Sequence, residues 1–100
     1  MSYSFHPAAE AELLESVGYY ESRVAGLGGT LIREFETLAR LISDAPRAWQ
    51  VELTPDIRKA PLQRFPLSII YREQTGNVQI LAIAHERRRP QYWLNRFHKS

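Results

Sequence analysis

Hydrophobic residues recur with a helical period in the first half of the chain. Two sets are spaced by four, three and four positions: Leu13, Val17, Tyr20 and Val24, then Leu31, Phe35, Leu38 and Ile42. Three glycines at positions 26, 28 and 29 interrupt the pattern between the two sets. The spacing predicts two amphipathic helices joined by a short link, which is an antiparallel helical hairpin. Pro7 suits the first turn of the first helix, and the second helix is predicted to end near Pro46.

The second half of the chain has the shorter apolar runs that are typical of strands. Residues 57–62, 67–72 and 78–84 are predicted strands, and residues 3–5 form a further short one. Pro61 indicates an edge or a bulge in the first of the three. Residues 78–84 are apolar on both faces, so we place that strand centrally.

The remaining segments connect or follow these strands. Residues 45–56 are predicted to be a loop anchored by Trp49, and Pro90 is predicted to begin a short last helix with Tyr92, Trp93 and Phe97. The predicted fold is therefore α+β, in the order β-α-α-β-β-β-α, with the hairpin packed on one face of a small, mostly antiparallel sheet.

Composition narrows the classes of protein to which the chain can belong. A length of 100 residues with 44% hydrophobic residues predicts a single globular domain over residues 1–100. The sequence has no cysteine and no apolar run near the roughly 20 residues of a membrane span, so we expect a cytoplasmic protein. Its three histidines, at positions 6, 85 and 98, are too scattered to predict a metal site, and nothing indicates a cofactor.

Charge is distributed unevenly between the two halves. Residues 1–45 contain three basic and seven acidic residues, a net charge of −4, whereas residues 46–100 contain ten basic and four acidic residues, a net charge of +6. The most concentrated basic stretch is Arg87-Arg88-Arg89, which follows a predicted strand and precedes Pro90. Such a cluster indicates contact with an acidic partner, either nucleic acid or protein.

Four stretches, in this order, resemble the RelE/ParE superfamily of type II toxins. They are FHPAAEAEL at residues 5–13, the residues 19–28 that close the hairpin, residues 57–72 at the predicted sheet centre, and AHERRRPQYW at residues 84–93. The resemblance covers nearly the whole chain and implies the superfamily's fold. It also implies one of two activities: ParE-like members inhibit DNA gyrase and block replication, whereas RelE-like members cut mRNA on the ribosome. In both branches a cognate antitoxin, ParD-like or similar, folds its C-terminal segment onto the toxin.

Under the ParE-like interpretation, the C-terminal basic segment binds the target without catalysis. The predicted target-binding residues are His85, Arg87, Arg88, Arg89, Tyr92, Trp93 and Arg96. Plain structural roles are the competing interpretation for several of them. His85 is then a strand-end histidine bonded to backbone, the three arginines are a solvated charge run, and the two aromatic residues pack in the core.

Under the RelE-like alternative, the chain is an endoribonuclease, which needs a proton-transfer group and cations for the scissile phosphate. The candidate residues are His85, Arg58, Arg72, Arg88 and Tyr92. RelE-like toxins carry basic residues on the central strands where this sequence has Ala60, Pro61 and Ser68. The ParE-like branch is therefore favoured.

An antitoxin segment that folds on binding needs apolar anchors and complementary charge. We expect it in the outer groove of the hairpin and at the sheet edge near Pro61, with acidic side chains opposite the toxin's arginines. The predicted antitoxin-binding residues are Leu13, Val17, Leu38, Ile42, Arg58, Arg64 and Arg72.

Overall fold

The structure is a computed structural model that describes residues 2–98 and the side chains of residues 2–96. Its elements, in chain order, are β1 (Ser2–Phe5), α1 (Pro7–Arg23), α2 (Leu27–Asp44), β2 (Gln50–Leu53), β3 (Ile57–Pro61), β4 (Leu67–Gln74), β5 (Asn77–His85) and α3 (Asn95–His98). The five strands form one sheet in the order β1-β5-β4-β3-β2. Strand β1 runs parallel to β5 and the other pairs are antiparallel, which confirms the predicted α+β class.

The helical hairpin is fixed by contacts at both of its ends. His6 caps α1, because its side chain accepts a hydrogen bond from the amide of Ala8 at 3.0 Å. At the link, the Glu21 carboxylate accepts hydrogen bonds from the amides of Gly26 and Gly28, each at 2.9 Å. These bonds satisfy amides at the start of α2 and lower the pKa of Glu21. A Cβ on Gly28 would lie 2.9 Å from the backbone of α1, so the glycine permits the close approach of the two helices.

Both faces of the sheet are covered, and each has its own hydrophobic core. The hairpin packs on one face, where the buried residues include Leu31, Phe35 and Ile83. The opposite face carries a smaller cluster centred on Trp93, with Ile70 and Leu81 beneath it. The chain after β5 therefore crosses the sheet edge and covers the second face.

Strand β5 changes phase part-way along its length. Its register against β4 shifts between Ile80 and Ala82, which leaves Leu81 without a paired residue on β4. Ile80 and Ile83 belong to the helix-side core, whereas Leu81 and Ala82 belong to the opposite core. The strand is apolar on both faces because each face lies against one of the two cores, and its predicted position inside the sheet is confirmed.

Three local predictions differ from the structure. The predicted loop at residues 45–56 contains strand β2, a short, partly exposed edge strand that pairs with β3. The last helix begins at Asn95 rather than Pro90, because Gln91 adopts a φ of 58° in the left-handed region and a helix cannot pass through it. Val24 is 58% exposed, since α1 ends at Arg23. The predicted position of the Phe97 side chain lies outside the described residues.

Two local predictions about anchoring and edges agree with the structure. Trp49 packs against the helix-side core, as expected for an anchor of the loop. Strand β2 ends opposite Lys59, so Pro61 extends past it to a stretch where β3 is locally an edge. The missing N–H of the proline therefore interrupts no strand pairing on that side.

Candidate functional site

The Glu12 carboxylate on α1 is the centre of a hydrogen-bond network that reaches the C-terminal segment. Its Oε1 accepts from the Ile83 amide at 3.0 Å, and its Oε2 accepts from the Tyr92 hydroxyl at 2.8 Å. The Arg96 guanidinium donates to both oxygens, each at 2.9 Å, in a bidentate ion pair. The side chains of Arg96 and Glu12 are only 14% and 15% exposed. One carboxylate thus joins α1, β5 and the segment that follows β5.

This network occupies a place that the sheet leaves open. Strand β1 ends at Phe5, opposite Ile80, so the same edge of β5 has no neighbouring strand beyond that point. There the Ile83 amide donates to the carboxylate, and the Leu81 carbonyl accepts from Arg96 at 3.0 Å. The ion pair therefore satisfies backbone groups that a further strand would otherwise bind.

The network also determines how its members ionise. Burial would raise the pKa of Glu12, but hydrogen bonds from Arg96, Tyr92 and the Ile83 amide, together with the Arg96 charge, hold it below its ordinary value. Burial and the hydrogen bond to Glu12 raise the pKa of Tyr92, which keeps its phenol protonated. At neutral pH the site is a carboxylate held by neutral and cationic donors.

The residues that follow β5 form an exposed basic loop, defined here as residues 86–89. Its backbone is tied to the strand end, because the Arg88 amide donates to the carbonyl of His85 at 3.0 Å. The Arg87 amide donates to Nδ1 of the same histidine, also at 3.0 Å. Since Nδ1 is the acceptor, the proton of the neutral imidazole lies on Nε2, which leaves an N–H donor.

Tyr92 connects the basic loop to the Glu12 network. The Arg88 guanidinium lies over the Tyr92 ring at 3.9 Å from its centroid, and Arg96 lies 5.1 Å from the same centroid. Stacking on an aromatic face orders the guanidinium and leaves its N–H edges free to donate. Arg87, Arg88 and Arg89 are exposed, while the backbone that carries them is fixed.

Comparison with protein families identifies the chain. The sequence model described as "ParE toxin of type II toxin-antitoxin system, parDE" matches residues 3–90. The chain belongs to this toxin family.

The fold of the toxin is shared with a solved structure described as "Chromosomal ParDE TA system from P. aeruginosa". The two chains are 19% identical, and the match has a TM-score of 0.74 and covers 85% of this chain and 95% of the other. None of the curated protein sequences matches the chain. Within residues 2–98, no helix is long and apolar enough to cross a membrane.

The residues predicted to bind the toxin's target lie in two environments. His85 and the three arginines of the basic loop are at the surface or partly exposed. Trp93 is 2% exposed and belongs to the core of the second sheet face, and Arg96 is engaged by the Glu12 carboxylate. Trp93 is therefore a packing residue in the free toxin, which is the plain structural role considered above.

The residues predicted for RNA cleavage do not form one site. The structure brings together His85, Arg88 and Tyr92. Arg58 is further away, because it pairs with Tyr71 on β4 whereas His85 pairs with Leu67. Four strand positions separate Tyr71 from Leu67, which is about 13 Å. The Arg58 guanidinium donates to the Trp49 carbonyl at 2.7 Å.

Arg72 lies one position further along β4 and donates to Gln79 at 2.9 Å. The ordered imidazole of His85 presents an N–H donor rather than a base. This geometry gives no support to the RelE-like alternative in the toxin.

The residues predicted to bind the antitoxin also lie in different environments. Leu13 and Ile42 are 9% and 1% exposed and belong to the helix-side core, so they cannot line a groove on its outside. Val17 is partly buried against the same core. The prediction that these residues bind the antitoxin is therefore corrected. The helical period identifies an apolar face, but it does not show whether that face packs against the sheet or faces solvent.

Leu38 and Arg64 both line a groove of about 500 Å³ between α2 and the loop after β3. The groove also contains Pro61, at the sheet edge expected for the antitoxin, and two residues that the sequence did not single out for binding, Leu41 and Trp49. Leu41 is 51% exposed. The sequence did contain a signal for this exposure, because Leu41 lies outside the four-three-four spacing of the buried face of α2.

Glu12 is the main site residue that sequence analysis missed. Its partner Arg96 lies 84 positions away in the chain. No local pattern distinguishes it from Glu10 or Glu15, so only the tertiary structure reveals its role.

The lowered pKa of Glu12 predicts an acid-dependent part of the toxin's stability. The unfolded state binds more protons than the folded state between the lowered pKa and about 4.5, so this contribution is complete above that range and is lost as the pH falls through the folded pKa. We expect Glu12→Gln to reduce the free energy of unfolding at pH 7 by about 3 kcal/mol, because Arg96 loses its counter-charge. Urea unfolding of this variant and the wild type between about pH 7 and pH 3 measures the difference, which should shrink toward acid.

The matched control is Glu15→Gln, since Glu15 is exposed on the same helix. It should change the free energy of unfolding by less than about 0.5 kcal/mol at every pH. An equal pH dependence for the two variants would contradict the role given to Glu12.

Proposed function

We propose that this member of the ParE toxin family inhibits DNA gyrase and so blocks replication and growth, without a catalytic step of its own. Within the segment from His85 to Arg96, the basic loop contacts the target and the residues that follow it position the loop. The observation that carries the proposal is the fixed presentation of three exposed arginines by His85, Tyr92 and the Glu12 network. A solvated charge run would have no such support.

Cationic side chains that are ordered before binding favour a specific contact over general electrostatic attraction. A side chain that is held before binding loses less conformational entropy on binding than a free one does. Arg88 is held by the Tyr92 ring, and its neighbours extend from a backbone bonded to His85. We assign Tyr92, Trp93 and Arg96 to positioning this surface and Arg87, Arg88 and Arg89 to contact.

The direct test is a supercoiling and cleavage-complex assay with gyrase and purified toxin. Wild-type toxin is expected to stop supercoiling and to accumulate cleaved DNA. The double variant Arg87→Glu/Arg88→Glu should need on the order of tenfold more protein or greater, because reversed charges oppose the contact. The matched control Arg33→Glu/Arg40→Glu reverses two exposed arginines on α2 and should act like the wild type.

Two results would contradict the proposal. One is a wild-type toxin that leaves supercoiling unaffected at molar excess. The other is full activity of Arg87→Glu/Arg88→Glu when its thermal unfolding matches that of the wild type.

We further propose that a cognate antitoxin, ParD-like or similar, neutralises the toxin by folding a segment into the groove between α2 and the loop after β3. Leu38, Leu41, Trp49 and Pro61 supply an apolar floor for its anchors. This placement keeps the predicted outer groove and the region near Pro61, and replaces the buried Leu13 and Ile42 by Leu41 and Trp49.

Charge at the rim of this groove favours an acidic partner. Arg33 and Arg64 line it and are exposed. Glu34 also lines it, but its Oε2 accepts from the backbone amides of Gln63 and Arg64, and its Oε1 is buried. The accessible charge of the groove is therefore positive, which complements acidic antitoxin residues beside Arg64.

Leu41→Glu tests the position of the antitoxin. A carboxylate in the groove loses an apolar contact and repels an acidic segment, so the dissociation constant of the toxin–antitoxin complex should rise by about tenfold to a hundredfold. Titration calorimetry with the cognate antitoxin measures it. Leu14→Glu, at a residue 64% exposed on α1, is the matched control and should bind as the wild type does. Equal affinities for all three proteins would place the antitoxin elsewhere.

A further inference from the structure

A small cavity lies on the sheet face opposite the hairpin, beside the basic loop. It has a volume of about 190 Å³ and is bounded by β3, β4 and the end of β5. Its polar lining includes Lys59, Ser68, His85, Arg88 and Arg89. The register brings these residues together, because Leu67 pairs with His85 and Ser68 with Pro61.

Ser68 is the unusual member of this set. It is a polar residue at a core position, only 8% exposed, and its side chain lines the cavity. Its hydroxyl is not a fully buried orphan, since Glu34 Oε1 is the one such side-chain atom among the described residues, and it can therefore donate to a group bound in the cavity.

The cations around the cavity are also available. Lys59, Arg88 and Arg89 are exposed, and none of them forms an ion pair with a carboxylate in the part of the chain that the structure describes. Glu52 and Glu86 line the same cavity and lower its net positive charge without pairing to these three.

The three cations, the Ser68 hydroxyl and the His85 imidazole can each donate a hydrogen bond toward an anion in the cavity. The ammonium and the guanidinium groups carry only donors, the Ser68 hydroxyl donates, and the His85 imidazole has its proton on Nε2 because Nδ1 accepts from the basic loop. Such a set matches the non-bridging oxygens of a phosphate, which accept several bonds at once.

We propose that this cavity binds a backbone phosphate of nucleic acid, with the exposed arginines of the basic loop following the neighbouring phosphates. A cavity of this size holds one anionic group, while the arginines extend the positive charge along a line, as a polymer with regularly spaced charges requires. The inference deepens the proposed function, and it rests on that function only for naming duplex DNA as the nucleic acid.

The test is the binding of purified full-length toxin to a short fluorescein-labelled DNA duplex, followed by anisotropy over a series of salt concentrations. Affinity should fall steeply with salt, and Arg89→Gln should reduce the slope of log affinity against log salt by about 1. The matched control Arg40→Gln removes the same charge from the helix layer and should leave both affinity and slope unchanged.

The Ser68→Ala variant distinguishes a specific phosphate site from general electrostatic attraction to DNA. This variant keeps the charge, so the salt slope should stay the same while affinity falls by about tenfold through the lost bond. Equal binding of an RNA duplex of the same sequence would support phosphate recognition and would show that the cavity does not distinguish DNA from RNA.

Three results would overturn the inference: no binding at low salt, equal losses for Arg89→Gln and Arg40→Gln, or an unchanged affinity of a folded Ser68→Ala protein. Gyrase plays no part in this experiment. A toxin that binds DNA but does not affect supercoiling would refute the proposed function alone, and a toxin that inhibits gyrase without binding DNA would refute this inference alone.

Discussion

The ion pair between Glu12 and Arg96 is the interaction on which the arrangement of the C-terminal segment depends. Five strands cannot protect the whole sheet edge, because β1 is only four residues long and leaves the end of β5 unpaired. The pair satisfies the Ile83 amide and the Leu81 carbonyl, which no neighbouring strand binds. It closes the edge with side chains and at the same time holds the segment that crosses to the other face.

The position of the basic loop follows from this constraint. Tyr92 is held by the carboxylate on one side and carries Arg88 on its ring, while the adjacent Trp93 fills the core of the second face. A largely buried ion pair of this kind adds little to stability compared with apolar packing, but removal of one partner is costly because the other is left desolvated. The network therefore acts mainly by specifying where the chain runs.

Much of the fold could be predicted from the sequence, because periodicity is a local property. The apolar residues of α2 and the two-sided apolar pattern of β5 each identify an element and its place in the layers. Strand β2 was missed because its residues Gln50–Leu53 are few and partly exposed between two prolines. The bulge at Leu81 could not be predicted, because a regular strand buried on both faces would have the same apolar sequence pattern.

The candidate sites were less predictable, since they depend on distant pairs. The cationic run at residues 87–89 was evident, but its support by Glu12 links positions 84 residues apart. Arg58 and Arg72 were grouped with His85 by residue type, yet the register places them elsewhere on the sheet. Residue type indicates possible chemistry, and only the register shows which residues meet.

The most direct test of this account is amide hydrogen exchange on the Glu12→Ala variant, with Glu15→Ala as its control. If the carboxylate holds the C-terminal segment, the Ile83 amide and the amides of residues 86–96 should exchange faster in Glu12→Ala, while those of α2 and β3 keep their wild-type protection. Unchanged protection of residues 86–96, or equal acceleration throughout the chain, would contradict the central role given to Glu12.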